Sequence, residues 1–141
     1  MKRRLSAAIT AITAFLFLNL ALSFFAPIKF NPFNYPYQGW GWWSFHDLRA
    51  SQEIHNVALL GSSLMVAAVN NCDANYLNRP LNLTEHHRSF YLDDKLEATF
   101  KGKFRSYNLA GPGQMPSDAY LTLKGMLSTA HRPDVVIYGV A

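Results

Sequence analysis

The longest apolar run in the chain comes first: Leu5 to Ala26 spans 22 residues without a charge, a glycine or a proline. At about 1.5 Å per residue, a helix of that length covers a hydrocarbon core about 30 Å thick. Its polar members are Ser6, Thr10, Thr13, Asn19 and Ser23, short side chains that can bond back to their own helix. A buried core helix would show a polar face, and this stretch shows none. Lys2, Arg3 and Arg4 precede the run and Lys29 follows it. The positive-inside bias therefore places residues 1–4 in the cytoplasm and exports the rest, with the bilayer as partner of residues 5–26. A cleaved signal peptide is the alternative, because Ala21-Leu22-Ser23 offers a small-residue site, although its apolar region is usually shorter.

Residues 27–45 change character. Pro27, Pro32 and Pro36 exclude a continuous helix, and Phe30, Phe33, Tyr35, Tyr37, Trp40, Trp42 and Trp43 crowd the segment with rings. Amphipathic rings suit the headgroup level of a membrane and equally suit the half-wet surface of a domain. The segment is thus either an interfacial linker or a loop packed on its own domain.

From His46 onward short apolar runs alternate with helical patterns. Val57 to Leu60, ending at Gly61, reads as a strand buried on both faces. Leu64 to Val69 starts a helix, and a polar stretch through Ser89 follows, with Asn70, Asn71, Asn75, Asn78, Asn82 and Pro80 as breakers. Leu92, Leu96 and Phe100 recur every four residues, and Gly102 stands where a C-cap belongs. Phe104 to Leu109 reads as a second strand, Gly111-Pro112-Gly113 as a sharp loop, and Ser117 or Asp118 as the cap of a further helix. The stripe predicted for that helix is Ala119, Leu123, Met126, Leu127 and Ala130. Val135 to Gly139 is a third, β-branched strand.

Strand, helix, strand, helix, strand implies right-handed crossovers and a parallel sheet covered on both faces, an α/β domain over residues 46–141. Three strands leave an apolar edge open, so the sheet is expected to be incomplete and the chain a partial one.

Composition refines this picture in two ways. The formal charge of +4 comes from Lys2, Arg3, Arg4 and Lys29, and the remaining nine basic residues balance nine acidic ones. No basic stripe is left for phosphates, which argues against nucleic acid as a partner. Cys72 is the lone cysteine, which excludes an internal disulfide and a cysteine-rich metal site. Adjacent His86 and His87 point apart on any helix, so no metal is expected there, and no Gly-rich phosphate loop can be drawn that would call for a nucleotide cofactor.

Ligands of open parallel sheets bind outside the carboxyl ends of the strands. Those ends are Gly61-Ser62-Ser63-Leu64, Asn108 to Gln114, and Gly139-Val140-Ala141. A serine on a tight strand-to-helix turn exposes its hydroxyl, and the helix N-terminus behind it favours the negative charge of an attacked carbonyl. Ser63 sits at that turn. The plain alternative is that it is a helix N-cap.

These residues resemble the SGNH (GDSL-type) hydrolase superfamily of serine esterases and acyltransferases. Gly61-Ser62-Ser63-Leu64 is similar to its first block, with Ser63 at the nucleophile position, and Asn108 to Gly113 is similar to its second. The resemblance implies a three-layer, flavodoxin-like parallel sheet, and an oxyanion hole made by the backbone N–H groups of Ser63 and Gly113. The implied substrate is an ester or an acetylated glycan outside the cytoplasm. Ser62 replaces the family's usual aspartate, and Ala141 stands where its third-block asparagine is expected. The family's Asp-x-x-His does not occur in these 141 residues. His46, His55, His86, His87 and His131 all fall away from the strand ends and read as surface or loop histidines. Without a base a serine is a poor nucleophile at neutral pH, so the chain by itself is expected to be nearly inactive. A membrane-tethered scaffold that keeps the fold without the chemistry is the rival reading.

Overall fold

A computed structural model describes residues 5–25, 31–34, 40–51 and 55–140, with side chains from residue 8 onward. It divides into two compact units, Met1–Phe30 and Asn31–Ala141, which are taken separately. Ala26 and residues 27–30 and 35–39 of the expected linker lie outside the described residues.

The first unit is α1, Leu5–Phe25. Its window Ala8–Phe25 has a mean hydropathy of 2.0 and buries nothing, so one helix is long and apolar enough to cross a membrane. Its polar side chains turn inward as expected: Asn19 Nδ2 donates to the Phe15 carbonyl at 2.9 Å, and Ser23 Oγ to that of Asn19 at 2.8 Å.

The second unit is α/β. After a short 3₁₀ turn at Pro32–Asn34 come α2 (Trp42–Ala50), β1 (His55–Gly61), α3 (Ser63–Tyr76), α4 (Phe90–Phe100), β2 (Phe104–Asn108), α5 (Pro116–Leu127) and β3 (Val135–Gly139). The strands form one parallel sheet in the order β2-β1-β3. Val57 to Gly61 are buried throughout because β1 is central and covered on both faces, as its continuous apolar run predicts.

Strand alternation sorts the core into two layers. Ala58 and Leu60 face Phe45 and Leu48 of α2 and Ala119 and Met126 of α5, together with Tyr107 and Leu109. Val57 and Leu59 face the opposite way, onto Val69 of α3, with Met65, Leu92, Leu96 and Phe104 packed around them. The result is helix, sheet, helix.

The expected start of the domain at residue 46 lies too late. Ser44 and Phe45 are buried, Phe33 packs edge-on against Phe45 at 5.7 Å, and the Trp40 indole N–H donates to the Ala110 carbonyl at 2.8 Å. These rings of the 27–45 segment are therefore packed on their own domain, the second of the two expected arrangements. Four other expectations also change. α3 runs through Asn70, Asn71 and Asn75 because Val66, Val69 and Asp73, on one face, hold it to the body. The left-handed residue closing α4 is Lys101 (φ 52°), not Gly102, where a Cβ would stand 3.3 Å from both His55 and Phe104. Met115 caps α5, with Pro116 at the first position and Asp118 Oδ2 accepting from the Met115 N–H at 2.9 Å. The buried stripe of α5 is Ala119, Thr122, Gly125 and Met126, while Leu127 and Ala130 are exposed.

The two edges of the sheet differ. Every outward N–H of β2 is occupied: Phe104 donates to Glu97 Oε1, Ser106 to Asp93 Oδ1 at 2.7 Å, and Asn108 to the His87 carbonyl at 2.8 Å. On β3 the side chains of Val135, Val136, Ile137 and Tyr138 are exposed on both faces.

Candidate functional site

The chain leaves β1 toward β2 on one side and then crosses to β3 on the other. This reversal opens a crevice at the carboxyl ends, where a parallel α/β sheet holds its ligands. The parallel ladder continues past the strands there, with the Leu109 N–H donating to the Leu59 carbonyl at 2.8 Å and Gly111 to Gly61 at 3.1 Å. Those bonds set the serine turn and the Gly-Pro-Gly turn side by side.

Gly61 makes the sharp exit from β1. Its φ of +145° suits glycine, and a Cβ there would lie 3.0 Å from the Gly139 carbonyl oxygen and 3.1 Å from Met65 Cβ. Ser62 then caps α3, its hydroxyl accepting from the Leu64 N–H at 3.4 Å while its carbonyl accepts from Met65 and Val66. The cap is thus Ser62, which leaves Ser63 as the first helical residue. Its hydroxyl is exposed and has no hydrogen-bond partner among the described residues. Capping does not explain Ser63.

On the neighbouring turn, Gln114 N–H donates to the Gly111 carbonyl at 3.1 Å, with Pro112 and Gly113 between them. Pro followed by a glycine of positive φ, here +72°, is the pattern of a type II turn. Gly113 faces open space, with nothing within 4 Å of a Cβ built on it. Asn108 is buried and works locally: its Oδ1 accepts from the Ala110 N–H at 3.3 Å and its carbonyl from Ser44 Oγ at 2.7 Å. Gly139 closes against Met65, whose Cε would lie 2.9 Å from a Cβ there.

Two cavities flank this end of the sheet. One, of about 230 Å³, is lined by Leu64, Met65, Ala68, Gly139 and Val140. The other, of about 250 Å³, is bounded by Trp40, Phe45, Leu109, Gly111, Gly113, Gln114, Asp118 and Thr122, among others. Neither is lined by a histidine.

The five histidines have other surroundings. His46 stacks on Trp42, His55 opens β1 at the far end, and His131 meets the edge of Phe33. His86 lies in the loop between α3 and α4, the second of the two expected settings, but it is not at the surface. It is 9% exposed, and its Nε2 lies 2.8 Å from Asp73 Oδ2. Asp73 is fully buried and also accepts from Ser89 Oγ and from the N–H groups of Phe90 and Tyr91. This network ties α3 to the start of α4, and no local sequence signal announces a pair thirteen residues apart. Among the described residues no group of three or more His, Cys, Asp or Glu side chains is placed to hold a metal ion.

His87 stacks on Trp43 with ring centroids 6.2 Å apart. Burial holds its imidazole below the usual 6.5, with Asp47 opposing the shift and His86 adding to it. The unfolded chain therefore takes up a proton at His87 before the folded one does. Stability is expected to fall as the pH drops below about 6.5, until the folded-state value is passed. Urea titrations between about pH 7 and 5 should show a shallower slope for His87→Gln than for the parent, and equal slopes would refute the assignment.

Comparison of the chain with protein-family profiles, curated proteins and solved structures finds no match.

Proposed function

We propose that this chain carries the serine turn and the oxyanion turn of a membrane-anchored SGNH-type serine esterase or O-acyltransferase. It acts on an ester or an acetylated glycan outside the cytoplasm. Ser63 Oγ attacks the ester carbonyl carbon, its proton passes to a base, and the alkoxide leaves to give an acyl-enzyme. The backbone N–H groups of Ser63 and Gly113 stabilise the oxyanion. Water as acceptor regenerates the serine as an esterase does, and a sugar hydroxyl makes the reaction an O-acyl transfer.

One observation carries this reading: Ser62 does the capping, which leaves the Ser63 hydroxyl exposed and unengaged at the first turn of α3. The bonded turns beside it and the order β2-β1-β3, the opening order of flavodoxin-like sheets, are in keeping with it. A tethered scaffold of the same fold is the second reading. It is favoured by the absence of any histidine from the cavities beside the serine turn.

A fluorophosphonate probe separates the two. In the longest natural reading frame containing this chain, labelling that disappears in Ser63→Ala establishes an activated nucleophile. A folded protein that takes no label is the scaffold.

A further inference from the structure

The cavity beside Gly113 has a composition of its own. At about 250 Å³ it falls just below the range of about 300–1,000 Å³ for drug-sized ligands, so it admits a single small ring. Trp40 forms one wall. Its indole N–H is committed to the Ala110 carbonyl, and Gly111 packs so closely that a Cβ there would reach Trp40 Cδ1 at 3.3 Å. The ring is thereby fixed in orientation by its polar edge, yet 37% of the residue stays exposed. A preset, partly open indole is a platform for the C–H face of another ring.

The opposite requirement comes from Gln114. Its carboxamide oxygen is buried without a hydrogen-bond partner, although the side chain lines the cavity. An unpaired buried acceptor is costly, and a rotation of the carboxamide that brings it to the cavity surface would let a hydroxyl donor there relieve it. Charge narrows the choice further. Among the described residues of the lining Asp118 is the one ionisable side chain, its Oδ2 already accepts from the Met115 N–H, and none is a Lys, Arg or His that could hold a phosphate or carboxylate. Thr122 adds a second small polar group.

We propose that this cavity is a binding subsite for a neutral sugar ring, stacked on Trp40 and hydrogen-bonded through a ring hydroxyl to the Gln114 carboxamide. For its role in catalysis the inference rests on the acyl-transfer reading, in which the Gly113 N–H faces the reacting carbonyl and the bound ring belongs to the glycan substrate or acceptor. The binding itself does not need that reaction.

The test follows the three indole N–H signals by ¹⁵N–¹H correlation. The full chain is held in a zwitterionic detergent that carries no sugar headgroup and titrated with β-1,4-linked tetramers of glucose and of N-acetylglucosamine. A saturable shift of the Trp40 signal is expected, unchanged in Ser63→Ala and weakened at least fivefold in Gln114→Leu. A Trp40 signal that stays still up to tens of millimolar sugar in the parent protein overturns the subsite, whatever the variants do. A shift that is undiminished in folded Gln114→Leu overturns the hydrogen-bonding half. Because Ser63→Ala keeps sugar binding and loses probe labelling, failure of the subsite and failure of the hydrolase reading give different results.

Discussion

Asp73→Ala is expected to cost about 3–5 kcal/mol of folding stability, a large part of what a domain of this size has to lose. The carboxylate is fully buried and serves four donors: His86 Nε2, Ser89 Oγ and the N–H groups of Phe90 and Tyr91. Alanine removes every acceptor at once and leaves those donors with little water in reach, at about 1–3 kcal/mol for each that stays unsatisfied. Ser89 Oγ still accepts from the Leu92 N–H at 3.3 Å, so α4 keeps part of its cap and the loss is less than the sum. Asp73→Asn keeps one acceptor oxygen and should lose distinctly less. Urea unfolding followed by circular dichroism decides the matter. An alanine variant within about 1 kcal/mol of the parent would mean that the network is ornamental.

The two glycines of the candidate site should respond very differently to alanine. Gly61→Ala places a Cβ at φ +145°, 3.0 Å from the Gly139 oxygen and 3.1 Å from Met65 Cβ, so backbone strain and overpacking act together. About 2–4 kcal/mol should be lost, and the turn presenting Ser63 should shift with it. Gly113→Ala meets nothing within 4 Å and carries only the left-handed penalty, about 1–2 kcal/mol. Equal midpoints for the two variants in thermal melts would refute this ranking. A Gly113 variant that folds but labels poorly would bear on the oxyanion role without a stability effect to confuse it.

What could be read from the sequence follows from how local each signal is. α1, β1 and β3 are continuous apolar or β-branched runs, and their positions are legible without knowledge of any partner. α2 is not, since Trp42-Trp43-Ser44-Phe45 follows three prolines and looks like linker until Ser44 and Phe45 are seen buried against the β2 side of the sheet. The length of α3 was hidden by Asn70, Asn71 and Asn75, whose weak helix preference is overridden by packing along the Val66, Val69 and Asp73 face. In the candidate site the serine turn and the Gly-Pro-Gly loop were legible as chemistry. Which of two adjacent serines caps the helix was not, because both are good caps and backbone geometry alone assigns the role to Ser62. Trp40 and Gln114 carried no signal beyond residue type, because they meet only through the fold.

The contrast between the two edges of the sheet gives the domain a valence of one. With the outward N–H groups of Phe104, Ser106 and Asn108 all engaged, no further strand can add beside β2 without first dismantling the Asp93 and His87 contacts. The bond from the Asp134 N–H to the Asn56 carbonyl sets the alternation on the other side, so Val135, Ile137 and Gly139 point their N–H groups away from β1. Any strand that extends this sheet, from whichever molecule it comes, is directed to that single face of attachment. Growth beside β3 also brings new neighbours to Gly139 and Val140. Adding a strand beside β3 and adding a wall to the crevice next to Ser63 would therefore be one structural event.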